Sequence, residues 1–350
     1  MFSSFFTGLN GVKQGGVISP VLFCLYIDNL LIQLAQSGVG CYIGNTFVGA
    51  LAYADDIVLV APTPSALRQM LSICESYANL FNIKFNTNKS KCMLVPGYKQ
   101  AASSADMLSE CKFYLDGRLM ENVQEFSHLG HIITTKLGDT EDILNRRCRL
   151  IGQINSVLCY FKDLNSAVKV RLLNAYCLSL YGCELWDLGN SHIQAICVAY
   201  RKGLRRCFDL PYESHSFLLP GLAGTLPLFY EISKRSLRFV YKCLFGSSSL
   251  VRSVVWHSIH DMGCKSVVTS NIHSACKLFG LRYDSFLHGK VCVGDDSLFR
   301  TTLTEEKYRA IKFTDELIQL RDGWLGFSNT FSLSRCDLKL MIDYVTTANA

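Results

Sequence analysis

The stretch "LAYADDIVLV", Leu51 to Val60, sets two aspartates, Asp55 and Asp56, side by side between two runs that are otherwise almost wholly apolar. The flanks "TFVGALAY" and "IVLVA" are short, apolar and partly β-branched, and they predict a β-hairpin with a tight acidic turn. Adjacent carboxylates repel each other and cost stability unless positive charge lies near. Aspartate is also a favoured turn former, so the pair alone fits a plain polar turn. A divalent cation is the other answer. Mg²⁺ takes one or two protein carboxylates and completes its shell with water and phosphate oxygens, and a hairpin tip mounts such ligands rigidly while leaving the ion open.

Working upstream, "ISPVLFCLYIDNLLIQLAQSGVG" reads as a helix with Ser19 as its cap and Pro20 at its first position. Leu22, Leu25, Tyr26, Leu30, Leu31 and Leu34 form its apolar face, and Gly38 and Gly40 stop it. It is the best candidate for a membrane span, but Pro20, Asp28, Asn29 and Gln33 argue for a buried amphipathic helix and no membrane partner. No secretory signal is expected at the start of the chain. Downstream, Thr63 caps a second helix with Pro64 at its first position and Leu67, Met70, Leu71, Cys74, Tyr77 and Phe81 on one face. Strands are expected at "IKFNT" and "KCMLV", a polar loop stretch over 97–125, and a strand pair near "CKFYLDGRLM" and "FSHLGHIIT". The fold class is therefore α+β, an antiparallel sheet with helices on one face, followed by a mainly helical region from Asp139 to about Tyr241.

Composition is that of a globular chain: 350 residues, 49% hydrophobic and 18% charged. Its 16 cysteines are scattered singly through apolar runs with no CxxC pair, as expected of reduced, buried thiols in an intracellular protein. The eight histidines complete no zinc spacing. Net charge is +6 overall but uneven, −5 over residues 101–143 and +8 over 144–242. A local excess of that kind is a solvated face or a track for a phosphate backbone.

Taken together, four segments resemble a known family. Tyr53-Ala54-Asp55-Asp56 resembles the YxDD box of reverse transcriptases, and "GVKQGGVISPVLF" the glutamine-glycine motif of the same palm. "FNTNKSKCML" is similar to the lysine-bearing motif that follows, and "FSHLGHII" to the primer-grip hairpin at the palm's end. The valine and basic residue before Gln14, and the later "SLYGCELWDL", resemble non-LTR (LINE-like) retrotransposons rather than group II intron proteins. The resemblance covers about residues 1–245.

That resemblance implies RNA-directed DNA polymerisation by two-metal nucleotidyl transfer, with Mg²⁺ or Mn²⁺, an RNA template, a DNA primer and dNTP. Asp55 and Asp56 would hold metal, Lys89 would face the triphosphate as a general acid or clamp, and Lys91 would point to solvent. Gln14, Gly15 and Tyr53 would lie at the nucleotide and template. His128, Leu129 and Gly130 would hold the primer end. Arg146, Arg147, Arg149, Arg201, Lys202, Arg205 and Arg206 would contact phosphates, and Trp186 would anchor packing. Domains are expected at 1–135 (partial palm), 136–245 (basic helical thumb and connection) and 246–350 (no assigned role). By family, the setting would be nucleus and cytoplasm.

The family's first palm carboxylate stands well before the glutamine-glycine motif, and the first acid here is Asp28. The expectation is thus an N-terminally truncated polymerase, inactive alone and completed by the missing N-terminal part. The alternative is a non-catalytic nucleic-acid-binding remnant.

Overall fold

The structure is a computed structural model that describes residues 15–96, 111–212, 214–216, 218–260, 266–291 and 293. Helix and strand are mixed, as an α+β reading requires. The chain divides into two compact units. The first runs up to Phe126 and includes Thr134–Leu137; the second takes Ser127–Ile133 and the residues from Gly138 on.

In the first unit, α1 (Ser19–Gln36) precedes β1 (Tyr42–Ile43), β2 (Thr46–Phe47), β3 (Ala50–Tyr53), β4 (Asp56–Leu59) and α2 (Pro64–Phe81). The expected cap of α2 is present: the Thr63 hydroxyl accepts from Ala66 N–H at 3.2 Å, and Asn82 closes the helix in the left-handed conformation. Its inner face, Met70, Cys74 and Tyr77, meets Leu30 and Leu34 of α1 and the underside of the β3–β4 hairpin at Ala50, Ile57 and Leu59. Tyr77 Oη donates to the Tyr26 carbonyl at 2.5 Å, tying α2 to α1.

Helix α1 departs from expectation. Ile18, not Ser19, is its cap residue, and Ser19 is already helical. Only Ile27, Leu30 and Leu34 are buried, while Leu22, Leu25 and Tyr26 of the expected apolar face are exposed. By length and composition α1 is long and apolar enough to cross a membrane. It is not the buried amphipathic helix that its periodicity suggests.

After α2 the strands are shorter than expected. "IKFNT" is irregular, and "KCMLV" supplies only β5 (Lys91–Cys92), paired in parallel with β8 (Glu121–Asn122). Between them β6 (Tyr114–Leu115) and β7 (Arg118–Leu119) form a hairpin whose turn, Asp116-Gly117, has positive φ at both residues. The strands described thus pair as separate two-stranded ladders rather than as one sheet. A further hairpin joins β9 (Glu125–His128) to β10 (His131–Thr134), and its tip, Ser127–Ile133, counts with the second unit.

The second unit is helical: α3 (Thr140–Tyr160), α4 (Ser166–Leu172), α5 (His192–Cys207), α6 (Leu218–Ala223), α7 (Leu228–Phe245), α8 (Ser249–His260), α9 (Val267–Leu278) and α10 (Tyr283–Leu287). One apolar core runs through it from Ile143 to Val293, with Trp186, Tyr200 and Phe286 fully buried. Gly203 of α5 lets α3 approach, because a Cβ there would fall 2.8 Å from Ile154 Cδ1. All cysteines described are free, and Cys74, Cys177 and Cys207 are among the buried ones. Burial pushes the Cys74 thiol up to about 12, so it packs as a neutral small apolar group.

Candidate functional site

Strands β3 and β4 pair in register from Ala50↔Leu59 to Tyr53↔Asp56, which leaves Ala54-Asp55 as a two-residue turn. Ala54 has φ +53°. A residue with a Cβ in that region is strained by about 1 kcal/mol, and such strain collects at functional sites. Asp55 and Asp56 are both exposed at the tip, and among the described residues no hydrogen bond or ion pair engages either carboxylate. Tyr53, expected at the nucleotide and template, stands 66% exposed.

This donor set suits a hard divalent cation. Two unpaired carboxylates on a rigid tip offer oxygen ligands and leave most of the coordination shell to water or phosphate. Among the described residues no group of three or more His, Cys, Asp or Glu side chains could hold a metal by itself.

Lys89 lies exposed in a turn, its N–H donating to Asn86 O at 3.1 Å and to Asn86 Oδ1 at 3.2 Å. Its ammonium has no ion pair among the described residues. Lys91 does not simply face solvent: its Nζ pairs with Glu121 Oε2 at 2.5 Å, bridging the β5–β8 ladder. Gly15 is exposed with φ +79°, and Gln14 lies outside the described residues.

His128, Leu129 and Gly130 occupy the tip of the second hairpin. Leu129 (φ +48°) and Gly130 (φ +78°) make a two-residue turn with both residues left-handed, the type I′ geometry that favours glycine. Helix α3 holds this tip. Arg146 Nη2 donates to Gly130 O, Ile132 N–H donates to Asp142 Oδ1 at 3.2 Å, and His131 Nδ1 stands 3.3 Å from Asp142 Oδ2, close enough for charge pairing. Asp142 is fully buried and also accepts from Trp186 Nε1 at 2.8 Å. The Arg146 guanidinium lies 5.6 Å over the Tyr181 ring, and a Cβ at Gly182 would come within 3.0 Å of His131 Nδ1.

Electrostatics follow from this packing. Burial pushes Asp142 up, but the contacts with His131, Trp186 and Ile132 N–H outweigh it and hold the carboxyl below its ordinary value. The same Asp142 contact raises His131 above its ordinary 6.5, against the opposing effects of burial and of Arg146.

The basic residues divide by commitment. Arg146 is buried and engaged inside the fold. Arg205 is anchored by Ser214 O (2.7 Å) and Ser216 Oγ (2.8 Å), and Arg206 Nη1 by Asn155 Oδ1 (2.6 Å). Arg147 and Arg201 are half-buried, while Arg149 and Lys202 are exposed. Lys202 Nζ and the Arg205 guanidinium each lie 5.8 Å from the ring of Tyr212, which is exposed.

His131 and Asp142 carry no individual assignment in the sequence, whereas Tyr181 and Gly182 fall within the "SLYGCELWDL" patch without a role of their own. For Asp142 the i,i+4 spacing to Arg146 is the available signal, and alone it reads as an ordinary surface pair.

Comparison with known proteins bears on this geometry. Residues 3–133 match the family described as reverse transcriptase (RNA-dependent DNA polymerase), a span that contains the β3–β4 hairpin and the β9–β10 hairpin up to Ile133. The Pol polyprotein of the type-2 retrotransposable element R2DM of Drosophila melanogaster is 33% identical over 128 residues, 36% of this chain and 12% of that protein. The matched segment is similar to the reverse transcriptases of non-LTR, LINE-like retrotransposons. Similarity extends past the matched domain: the Pol polyprotein of element R1 2 of Nasonia vitripennis is 24% identical over 263 residues, 70% of this chain and 60% of that protein. The RNA-directed DNA polymerase from mobile element jockey of Drosophila melanogaster is 23% identical over 215 residues, 58% of this chain and 22% of that protein. The chain spans between about one-eighth and three-fifths of these relatives' lengths.

Proposed function

We propose that this chain carries part of the catalytic palm of an RNA-templated DNA polymerase, together with a basic helical thumb. The observation that carries the reading is the Asp55-Asp56 pair, exposed and without an ion pair among the described residues at the strained tip of the β3–β4 hairpin, within the matched reverse transcriptase span. A bound Mg²⁺ or Mn²⁺ would supply charge neutralisation to the attacking 3′ oxygen and the departing pyrophosphate. Asp55 and Asp56 hold it by their carboxylates, and the hairpin ladder fixes their position. Lys89, without an ion pair among the described residues, clamps the triphosphate or delivers a proton to pyrophosphate. Gln14, Gly15 and Tyr53 lie at the nucleotide and template, and the Leu129–Gly130 turn meets the primer end. Residues 1–135 form the palm part and 136–245 the thumb and connection, while 246–350 have no assigned role.

Two carboxylates without a third acid among the described residues support dependence on an acid from outside them. The same observation favours a second reading, in which the chain binds nucleic acid without catalysis. Primer extension on an RNA template with dNTP and Mg²⁺ separates these. Weak incorporation that disappears with Asp55→Asn supports the polymerase reading, and incorporation that survives Asp55→Asn overturns it. Strong incorporation by this chain alone overturns the need for an outside acid. Under the binding reading Asp55→Asn leaves duplex affinity unchanged or raises it.

A further inference from the structure

The turn assigned to the primer end is held at three consecutive residues by one side of one helix. Gly130 gives its carbonyl to Arg146. Ile132 gives its N–H to Asp142 Oδ1 at 3.2 Å. Between them, His131 sets its ring nitrogen 3.3 Å from Asp142 Oδ2. Asp142 and Arg146 are four residues apart, one helical turn, so their side chains rise from one face of α3. Both are buried, which makes each contact a constraint rather than a loose surface pairing.

The clamp is itself backed. Trp186 Nε1 donates to the same carboxylate oxygen that faces His131, and Tyr181 lies against both the Arg146 guanidinium (5.6 Å) and Gly130, where a Cβ would touch its ring at 3.6 Å. Asp142 thus has three N–H groups or rings around it and no freedom to turn. All of these residues lie in the helical unit, as do the hairpin residues from Ser127 to Ile133.

We propose that Asp142 and Arg146 are positioning residues for the Leu129–Gly130 turn, fixing its aim on the recessed 3′ end of a primer strand from helix α3. The proposal rests on the reading of that turn as the primer contact. Neither residue touches nucleic acid, and both act through the backbone of residues 130–132. The charged groups facing His131 inside this clamp are Asp142, Asp139 and Arg146. Arg146, one of the arginines expected to grip phosphate, acts on the polymerase site only through the hairpin.

The test uses the full chain, a fluorescent RNA–DNA duplex with a recessed DNA 3′ end, and its blunt counterpart. Asp142→Asn and Arg146→Ala are expected to speed amide exchange at residues 130–132. Each should cut the preference for the recessed end by about tenfold, the scale of breaking one buried charged hydrogen bond. Arg146→Lys, which still donates to Gly130 O, should recover part of the preference, a result that simple loss of stability would not produce. If exchange speeds up while the preference holds, and His128→Ala or Leu129→Ala abolishes it, the turn contacts the primer but is not aimed by α3, and the proposal is overturned. If His128→Ala and Leu129→Ala leave the preference untouched, the reading of the turn fails and the proposal falls with it. Should Asp142→Asn not fold, Arg146→Ala and Arg146→Lys decide the matter by the same two readouts.

Discussion

Trp186 Nε1 donates to Asp142 Oδ2 at 2.8 Å, across 44 residues of sequence and with both side chains fully buried. A buried carboxylate is tolerable only when its oxygens are satisfied, and Trp186 and Ile132 each donate to one oxygen of this one, with the His131 ring nitrogen 3.3 Å from Oδ2. The indole therefore combines packing with polar support.

Trp186→Phe removes that donor and part of the buried volume while keeping an aromatic ring. The expected cost is about 2–4 kcal/mol of unfolding free energy, combining a lost charged hydrogen bond with a residual cavity. Urea denaturation followed by circular dichroism reads it directly; a cost under about 0.5 kcal/mol, the scale of an ordinary surface substitution, would show that the indole N–H is dispensable.

The pH dependence of stability carries two signs here. Asp142, held below its ordinary 3.8, adds stability above that value which is lost as pH falls through its lowered folded value. His131, raised above 6.5, adds stability that is complete below 6.5 and lost as pH rises through its raised folded value. Asp139 is raised, chiefly by burial, and works against Asp142 on the acid side. Unfolding free energy should therefore decline on the alkaline side of 6.5 in the native chain, and that decline should flatten in His131→Gln. An unchanged slope in the variant would remove His131 from the clamp.

Two turn residues should respond in opposite directions. Gly130 sits at φ +78°, so Gly130→Ala is expected to cost about 1 kcal/mol through the backbone, since the added Cβ meets Tyr181 only at ordinary contact distance. Ala54 sits at φ +53°, so Ala54→Gly relieves strain and is expected to be neutral or stabilising by up to about 1 kcal/mol. Thermal unfolding of both variants checks the pair; stabilisation by Gly130→Ala would contradict the assigned turn geometry.

Lys89 and Lys91, two residues apart, should separate cleanly. Lys91→Ala breaks a partly exposed pair with Glu121 and is expected to cost under about 1 kcal/mol of stability with little effect on nucleotide incorporation. Lys89→Ala is expected to leave stability unchanged and to slow incorporation by about tenfold to a thousandfold, the range for losing a proton donor or charge clamp. Steady-state incorporation with this chain supplied in its active setting reads both, and equal effects would sink the distinction.

The parts of the molecule legible in sequence are those that local chemistry decides. Thr63 and Pro64 start α2 by capping, and the β3–β4 hairpin follows from apolar flanks around a polar step. The "FSHLGHII" hairpin was legible from its family likeness. What failed depended on partners remote in sequence. The apolar periodicity of α1 implies a buried face along its length, yet only its C-terminal half finds α2 to pack on. Charge counting treats Arg146 and Arg149 alike, while Asp142 and Gly130 draw one inside and leave the other in solvent. Asp142 reads as an acid in the first turn of a helix, favourable to the helix dipole, and nothing local reveals Trp186 beneath it.

The most direct test of the central claim is Mn²⁺ titration of the full chain with primer, RNA template and dNTP present, following paramagnetic broadening of backbone amides. The account predicts selective broadening at residues 53–57, lost in both Asp55→Asn and Asp56→Asn. Broadening absent from the hairpin, or unchanged in those variants, would contradict a metal-bearing role for the two aspartates.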